Sequence, residues 1–140
     1  NYQIILVGTD STVDKCLPEN VISIHRTQDQ KELAEIYSAA DLLVNPTRED
    51  NYPTVNLEAI ACGTPVLTYR TGGSIEVITE DTGRIVEQGD VAGLLKAVRE
   101  IAEKGKVQYT AKCRAFALEN FRKEDRYADY LKLYENITAR

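Results

Sequence analysis

The sequence predicts an α/β fold in which a parallel sheet lies between two layers of helices. Short apolar runs typical of strands alternate with longer segments whose apolar residues recur at helical spacing. This order indicates βαβ units, whose strands are parallel. The chain has 140 residues, 43% apolar and 28% charged, which is ordinary for one globular domain with one core.

Five short segments are predicted as strands. Residues 4–7 form a continuous apolar run that ends at Gly8, which favours a strand buried on both faces. Residues 9–20 are polar and predicted as loop with a short turn of helix. Pro65 opens a later strand, where its missing N–H is tolerated. The other predicted strands cover residues 21–25, 41–45, 65–69 and 84–86, the last at a sheet edge.

Helices are predicted where a capping residue precedes apolar residues at helical spacing. Asp29 caps one helix, and Asp90 caps a strong one that Gly105 closes. A helix follows Pro53 and ends at Gly63, and Ser74 is expected to cap a short helix. Two more helices are predicted, over about residues 110–119 and from about residue 123 onward.

Composition and motif searches exclude several classes of function. The net charge of −5, without a block of Lys and Arg, argues against nucleic acid as a partner. No apolar run approaches the roughly 20 residues that span a bilayer. The three widely spaced cysteines favour a reducing cytoplasm. No dinucleotide fingerprint, Walker loop, zinc motif or nucleophile elbow is present, and His25 is the only histidine.

The beginning of the chain indicates a piece of a longer protein. The sequence contains no methionine, and Asn1 leads directly into the first strand-like run. We therefore expect the chain to be one part of a larger enzyme or binding protein.

Residues 45–76 are the most informative segment for function. Glu58 lies about one turn into the helix after Pro53, where its carboxylate can accept hydrogen bonds from vicinal hydroxyls. The nearby helix start offers free N–H groups and a partial positive charge that suit a diphosphate. Asp50 precedes the helix, and Gly72-Gly73 allows close approach of a ligand. These features predict a site for a polyhydroxylated, phosphorylated ligand at the carboxyl ends of parallel strands.

A purely structural interpretation of the same segment stays open. Asp50 or Asn51 would then only cap the helix, Glu58 would face solvent, and the glycines would only form a turn.

The order of these residues resembles the donor-binding signature of retaining glycosyltransferases of the GT4 type, which have the GT-B fold. The resemblance covers about residues 3–104, and its motifs stand in the family's order. The matching positions are Tyr37-Ser38-Ala39-Ala40-Asp41, Asn45-Pro46-Thr47, Asp50, residues 58–66, Gly72-Gly73, Glu76 and Thr82-Gly83-Arg84-Ile85-Val86.

The resemblance implies a role for each matching acid. Glu58 would bind the ribose hydroxyls of the nucleotide, and Asp50 would contact the donor sugar as the first acid of the family's E-x7-E pattern. Asp50 is one methylene shorter than the usual glutamate, so Glu49 is the alternative.

The resemblance also implies contacts from neighbouring residues. The segment Asn51-Tyr52-Pro53 replaces the family's usual Gly-Phe-Gly step, so that the N–H groups of Asn51 and Tyr52 would face the sugar. The remaining positions implied to bind the donor are Arg26 and Thr27 at the base, Thr54 at the helix start, and Gly72 and Gly73.

At the level of the whole protein, the resemblance implies a Rossmann-like three-layer αβα fold, the C-terminal lobe of a GT-B glycosyltransferase. Residues 1–140 would be one nucleotide-sugar-binding domain, with the last helix, about residues 123–138, docking on a missing N-terminal lobe. The family's Arg and Lys clamp on the diphosphate would precede residue 1, and this chain alone would be inactive.

The implied reaction is transfer of a hexose from a UDP- or GDP-sugar to a glycan or lipid-linked acceptor, in polysaccharide biosynthesis, with retention and without cofactor or metal. The full-length protein would be cytoplasmic, either free or held at the inner face of the membrane through the missing lobe. Two alternatives stay open: a non-catalytic nucleotide or sugar-phosphate binding module, and the lobe of a GT-B sugar epimerase or phosphorylase.

Overall fold

A computed structural model describes residues 2–138. Helices and parallel strands alternate along the chain, as predicted. The chain divides into two compact units, one ending at Ile36 and the other beginning at Tyr37. In order, the elements are β1 (Ile4–Val7), α1 (Ser11–Asp14), β2 (Val21–Ile24), α2 (Gln30–Ala39), β3 (Leu43–Asn45), α3 (Thr54–Ala61), β4 (Val66–Tyr69), β5 (Gly83–Val86), α4 (Val91–Lys104), α5 (Val107–Asn120) and α6 (Lys123–Thr138).

The first unit contains β1, α1, β2 and most of α2. Its two strands pair in parallel, with Ile4 opposite Val21. Asp10 caps the short helix α1 through hydrogen bonds from two backbone N–H groups, which confirms a helical turn within the predicted loop. Asp29 accepts from the Glu32 N–H and so caps α2 as predicted.

The expectation of a buried first strand was wrong. The four apolar side chains of β1 are 36–46% exposed. A continuous apolar run predicts burial only when helices or further strands cover both faces. Within the first unit, β1 pairs with β2 alone, and the neighbouring helix α1 has only four residues. These elements leave the side chains of β1 partly exposed.

The second unit is built on a three-stranded parallel sheet in the order β3-β4-β5. All four residues of the central strand β4 are buried. Asn45 at the end of β3 pairs with Thr68 in β4, so the two strands end at the same edge of the sheet. Gly83 begins the edge strand β5. No side chain fits at this position, because an added Cβ would lie 1.8 Å from the Val66 carbonyl oxygen.

Helices α3 and α4 pack on this sheet, and α5 packs on α3, to form the core of the second unit. Fully buried Ile60 and Leu67 pack with Ile101 and Tyr109. Gly63 ends α3, as predicted, with a φ of +81° that favours glycine. The predicted caps of α4 are also confirmed. The Asp90 carboxylate accepts from the Gly93 N–H at 2.8 Å at the start of the helix, and Gly105 is the C-cap.

Two helix predictions need correction. Ser74 does not cap a helix; it lies inside a 3₁₀ turn, Gly72–Ile75, whose N-terminal flanking residue is Thr71. The Ser74 hydroxyl is instead used in a buried polar network described below, so it is not available for capping. Helix α5 begins at Val107, earlier than predicted.

Helix α6 has no buried residue, and the exposed fractions of its large apolar side chains are 51–63%. These side chains are Tyr127, Tyr130, Leu131, Leu133, Tyr134 and Ile137.

Candidate functional site

The candidate site lies at the carboxyl ends of β3 and β4. Residues 46–53, which we term the acid loop, follow β3 and lead into α3. The 3₁₀ turn Gly72–Ile75, which we term the glycine turn, follows β4. Both segments therefore leave the same edge of one parallel sheet, which is the usual ligand position in open α/β sheets.

The acid loop packs directly on the glycine turn. A Cβ added to Gly72 would lie 2.1 Å from the Asp50 carbonyl oxygen, and one added to Gly73 would lie 1.9 Å from that of Asn51. The Thr71 hydroxyl donates to the Thr47 carbonyl at 3.2 Å. The space that these glycines leave is thus filled by the protein's own backbone, and the two segments form one surface.

A buried polar network joins this surface to α3. Asn56, which is fully buried, accepts a hydrogen bond from Asn45 Nδ2 at 2.9 Å and donates to both the carbonyl and the hydroxyl of Ser74, each at 3.2 Å. The hydroxyls of Ser74 and Thr68 share a hydrogen bond of 2.6 Å, and Thr68 donates to the Asn45 carbonyl. No buried side-chain polar atom in residues 2–138 lacks a partner, so the network is satisfied.

The acids of the loop differ in how firmly they are held. Asp50 is half-buried, and its Oδ1 accepts from the Tyr52 N–H at 3.0 Å. This bond orients the carboxylate, but it also occupies an N–H group that was expected to face a sugar. The Glu49 side chain is exposed, and Asn51 is exposed as well. Burial, and then the negative charge of Glu76, raise the pKa of Tyr52.

The start of α3 leaves backbone donors open to a ligand. Pro53 is the N-terminal flanking residue, and no side chain caps the helix. Neither Asp50 nor Asn51 therefore acts as the cap, which excludes that part of the structural interpretation. Thr54 is exposed at the first helical position. N–H groups of a first helical turn have no carbonyl partner within their helix.

Glu58 lies one turn into α3, as predicted, and does not simply face solvent. It is half-buried, and the Tyr37 hydroxyl donates to its Oε2 at 3.0 Å. Burial first, and then the hydrogen bond to Glu58 and its charge, raise the pKa of Tyr37. Tyr37 therefore stays a protonated donor, and Glu58 is an oriented acceptor.

Four other polar residues belong either to the second unit, Arg48 and Arg70, or to the first, Arg26 and Thr27. Arg70 Nε donates to Glu87 Oε1 at 2.7 Å in an exposed ion pair, and Arg48 is exposed. Arg26 and Thr27 follow β2 in the first unit, exposed and half-buried respectively. Among residues 2–138, no group of three or more His, Cys, Asp or Glu side chains is arranged to hold a metal ion.

The contributions of Asn56 and Tyr37 to the site were not predicted from the sequence. Asn56 stands four residues before buried Ile60 on the same face of α3, so an amide on an apolar face was the available signal. The contact of Tyr37 with Glu58 joins residues 21 positions apart and has no local sequence signal.

Comparison with known proteins agrees with this architecture. The family profile described as "Glycosyl transferases group 1" matches residues 2–119. D-inositol 3-phosphate glycosyltransferase 2 of Catenulispora acidiphila is 37% identical over 94 residues, which cover 61% of this chain and 22% of that protein.

Solved structures show the same fold. Sucrose-phosphate synthase from Thermosynechococcus elongatus matches with a TM-score of 0.84 at 28% identity, over 98% of this chain and 39% of that one. Anabaena HepE in complex with UDP-glucose matches with a TM-score of 0.69 at 20% identity, over 97% and 40%. This chain therefore spans less than half the length of each of these three proteins.

Proposed function

The chain belongs to the group 1 glycosyl transferases, and we propose that it is the donor-binding domain of an enzyme that transfers a hexose from a nucleotide sugar to an acceptor. The observation that carries this proposal is the oriented Glu58 carboxylate, one turn into α3, beside the acid loop and the glycine turn.

Glu58 supplies the contact with the nucleotide. A carboxylate accepts hydrogen bonds through two oxygens and can therefore bind a vicinal diol such as that of a ribose. The Tyr37 hydroxyl engages Oε2 and leaves acceptor sites on both oxygens. The complex of Anabaena HepE with UDP-glucose supports a nucleoside diphosphate hexose as the donor class.

The acid loop and the start of α3 supply the contacts with the rest of the donor. Asp50, held by the Tyr52 N–H, binds hydroxyls of the sugar, with Glu49 as the alternative acid. The N–H group of Thr54 and the positive end of the helix dipole favour the diphosphate. Backbone donors of this kind stabilise charge that develops on a leaving diphosphate, which is how the transfer would proceed without a metal.

The resemblance to retaining enzymes supports the reaction and the acceptor class that we propose. We place the enzyme among those that retain the anomeric configuration and act on a glycan or lipid-linked acceptor. The acceptor would bind to the part of the enzyme that the longer relatives have in addition. The exposed apolar face of α6 is proposed to dock on that part. No described helix is long and apolar enough to cross a membrane.

The proposal is tested by calorimetric titration of the full-length protein with UDP, GDP, ADP and their sugars, in the presence of EDTA. Glu58→Ala is expected to weaken binding of the preferred nucleotide sugar about tenfold or more, because the diol loses its charged acceptor. Glu103→Ala is the matched control, since it removes an exposed carboxylate of α4 to which the proposal gives no contact with the donor.

Equal affinities of the two variants would contradict the assignment of Glu58. Tight binding of a nucleotide sugar without any transfer of its hexose would favour the non-catalytic binding module. Transfer with inversion, detected by NMR of the product's anomeric proton, would contradict the retaining mechanism.

A further inference from the structure

The end of helix α2 contributes Tyr37 to the candidate site, a residue for which the family resemblance implies no role of its own. Tyr37 is half-buried and donates its hydroxyl proton to Glu58 Oε2 at 3.0 Å. The pair lies wholly in the second unit, which begins at Tyr37. A hydrogen bond to an ionised acceptor is about twice as strong as one between neutral groups.

The backbone around Tyr37 is anchored independently of its hydroxyl. The hydroxyl of Thr64, which is fully buried, donates to the Tyr37 carbonyl at 2.5 Å. The Lys106 ammonium, in turn, donates to the Ser38 carbonyl. The backbone that carries the tyrosine is therefore held by residues just after α3 and at the start of α5, independently of the bond to Glu58.

The Tyr37 hydroxyl, carried on this anchored backbone, restricts the flexible side chain of Glu58. The Glu58 side chain rotates about three bonds, and the bond to Tyr37 selects conformations in which Oε2 points toward the ring. Freezing a rotamer-rich side chain on binding costs free energy, and a group oriented in advance avoids that cost.

We propose that Tyr37 is a positioning residue for nucleotide recognition, which orients the Glu58 carboxylate to accept hydrogen bonds from the two ribose hydroxyls. This inference rests on the proposed function, because it assumes that Glu58 meets a ribose. It assigns to Tyr37 no direct contact with the donor.

The test compares Tyr37→Phe with the unmodified full-length protein. The probes are the diphosphate among UDP, GDP and ADP that binds best, and its 2′,3′-dideoxy analogue. Tyr37→Phe is expected to raise the Kd of the diphosphate about tenfold and to leave that of the dideoxy analogue nearly unchanged, since the analogue has no diol for Glu58. Tyr109→Phe is the matched control, because it deletes a hydroxyl from a buried tyrosine of the core.

A double-variant cycle separates the possible failures. If Tyr37 acts through Glu58, Tyr37→Phe has no further effect in the Glu58→Ala background. An equal loss of affinity for both nucleotides would show a merely structural role and overturn the inference. Wild-type affinity in Tyr37→Phe, together with weakened binding in Glu58→Ala, would overturn the inference alone. Unchanged binding in Glu58→Ala would instead refute the proposed role of Glu58.

Discussion

Replacing Asn56 by alanine should remove the connection between α3 and the glycine turn. The Asn56 amide is fully buried and takes part in three hydrogen bonds, one with Asn45 and two with Ser74. Each typical hydrogen bond contributes about 0.5–1.5 kcal/mol net, and its loss leaves buried partners unsatisfied. We therefore expect Asn56→Ala to lower the free energy of unfolding by about 2–4 kcal/mol.

This loss is large compared with a total stability of about 5–15 kcal/mol. It is measured by urea denaturation followed by circular dichroism, as a lower midpoint at an unchanged slope. The control is Asn136→Ala, at an exposed position of α6, where a change within about 0.5 kcal/mol is expected. Asn56→Leu, which keeps the branching and number of side-chain heavy atoms and leaves no cavity, separates lost hydrogen bonds from a cavity.

A loss below about 0.5 kcal/mol in Asn56→Ala would refute the reasoning, because the network would then contribute nothing to folding. Full recovery of stability in Asn56→Leu would assign the effect to packing. We expect the leucine variant to stay destabilised, since the hydroxyl and carbonyl of Ser74 and the amide of Asn45 would remain without Asn56 as a partner.

Two further predictions follow from the same unit. Gly73→Ala would put a Cβ 1.9 Å from the Asn51 carbonyl oxygen and should weaken donor binding about tenfold or more. The control is Gly89→Ala, with φ +83° and no atom within 4 Å of the added Cβ, which should cost about 1–2 kcal/mol of stability and leave binding unchanged. Equal binding in the two variants would contradict the packing argument. Burial raises the pKa of the Cys113 thiol from 9.0 to about 11, so the stabilising contribution of the neutral thiol is complete below about pH 9 and is lost as the pH rises through 11. Cys113→Ala should therefore flatten the decline in unfolding free energy across that pH range, and an unaltered decline would contradict this prediction.

Elements with local signals were predictable from the sequence. The strand ends at Asn45 and Tyr69 follow apolar runs, and α4 begins and ends at Asp90 and Gly105 as its cap residues indicate. Gly63 ends α3, as the sequence predicted, and does so in the left-handed conformation. These predictions succeed because the controlling interactions join residues a few positions apart.

Features that depend on distant parts of the chain were not predictable. The apolar run of β1 predicts a buried strand, but burial depends on which elements cover it, and that is a tertiary property. Ser74 follows two glycines like a helix cap, yet its hydroxyl bonds to Thr68 and Asn56. A serine satisfied by tertiary partners has no reason to cap a helix, and no local pattern distinguishes the two cases.

The two glycines of the turn lead to a more specific view of the candidate site. The sequence analysis explained them by the close approach of a ligand, whereas the carbonyls of Asp50 and Asn51 occupy the space that a side chain would need. Their absent side chains therefore set the position of the acid loop, and through it the position of the Asp50 carboxylate. Any influence of Gly72 and Gly73 on donor affinity should then act through the loop acids, just as that of Tyr37 acts through Glu58. Under the proposed function, the acids of the motif bind the donor, and their neighbours set the orientation of those acids.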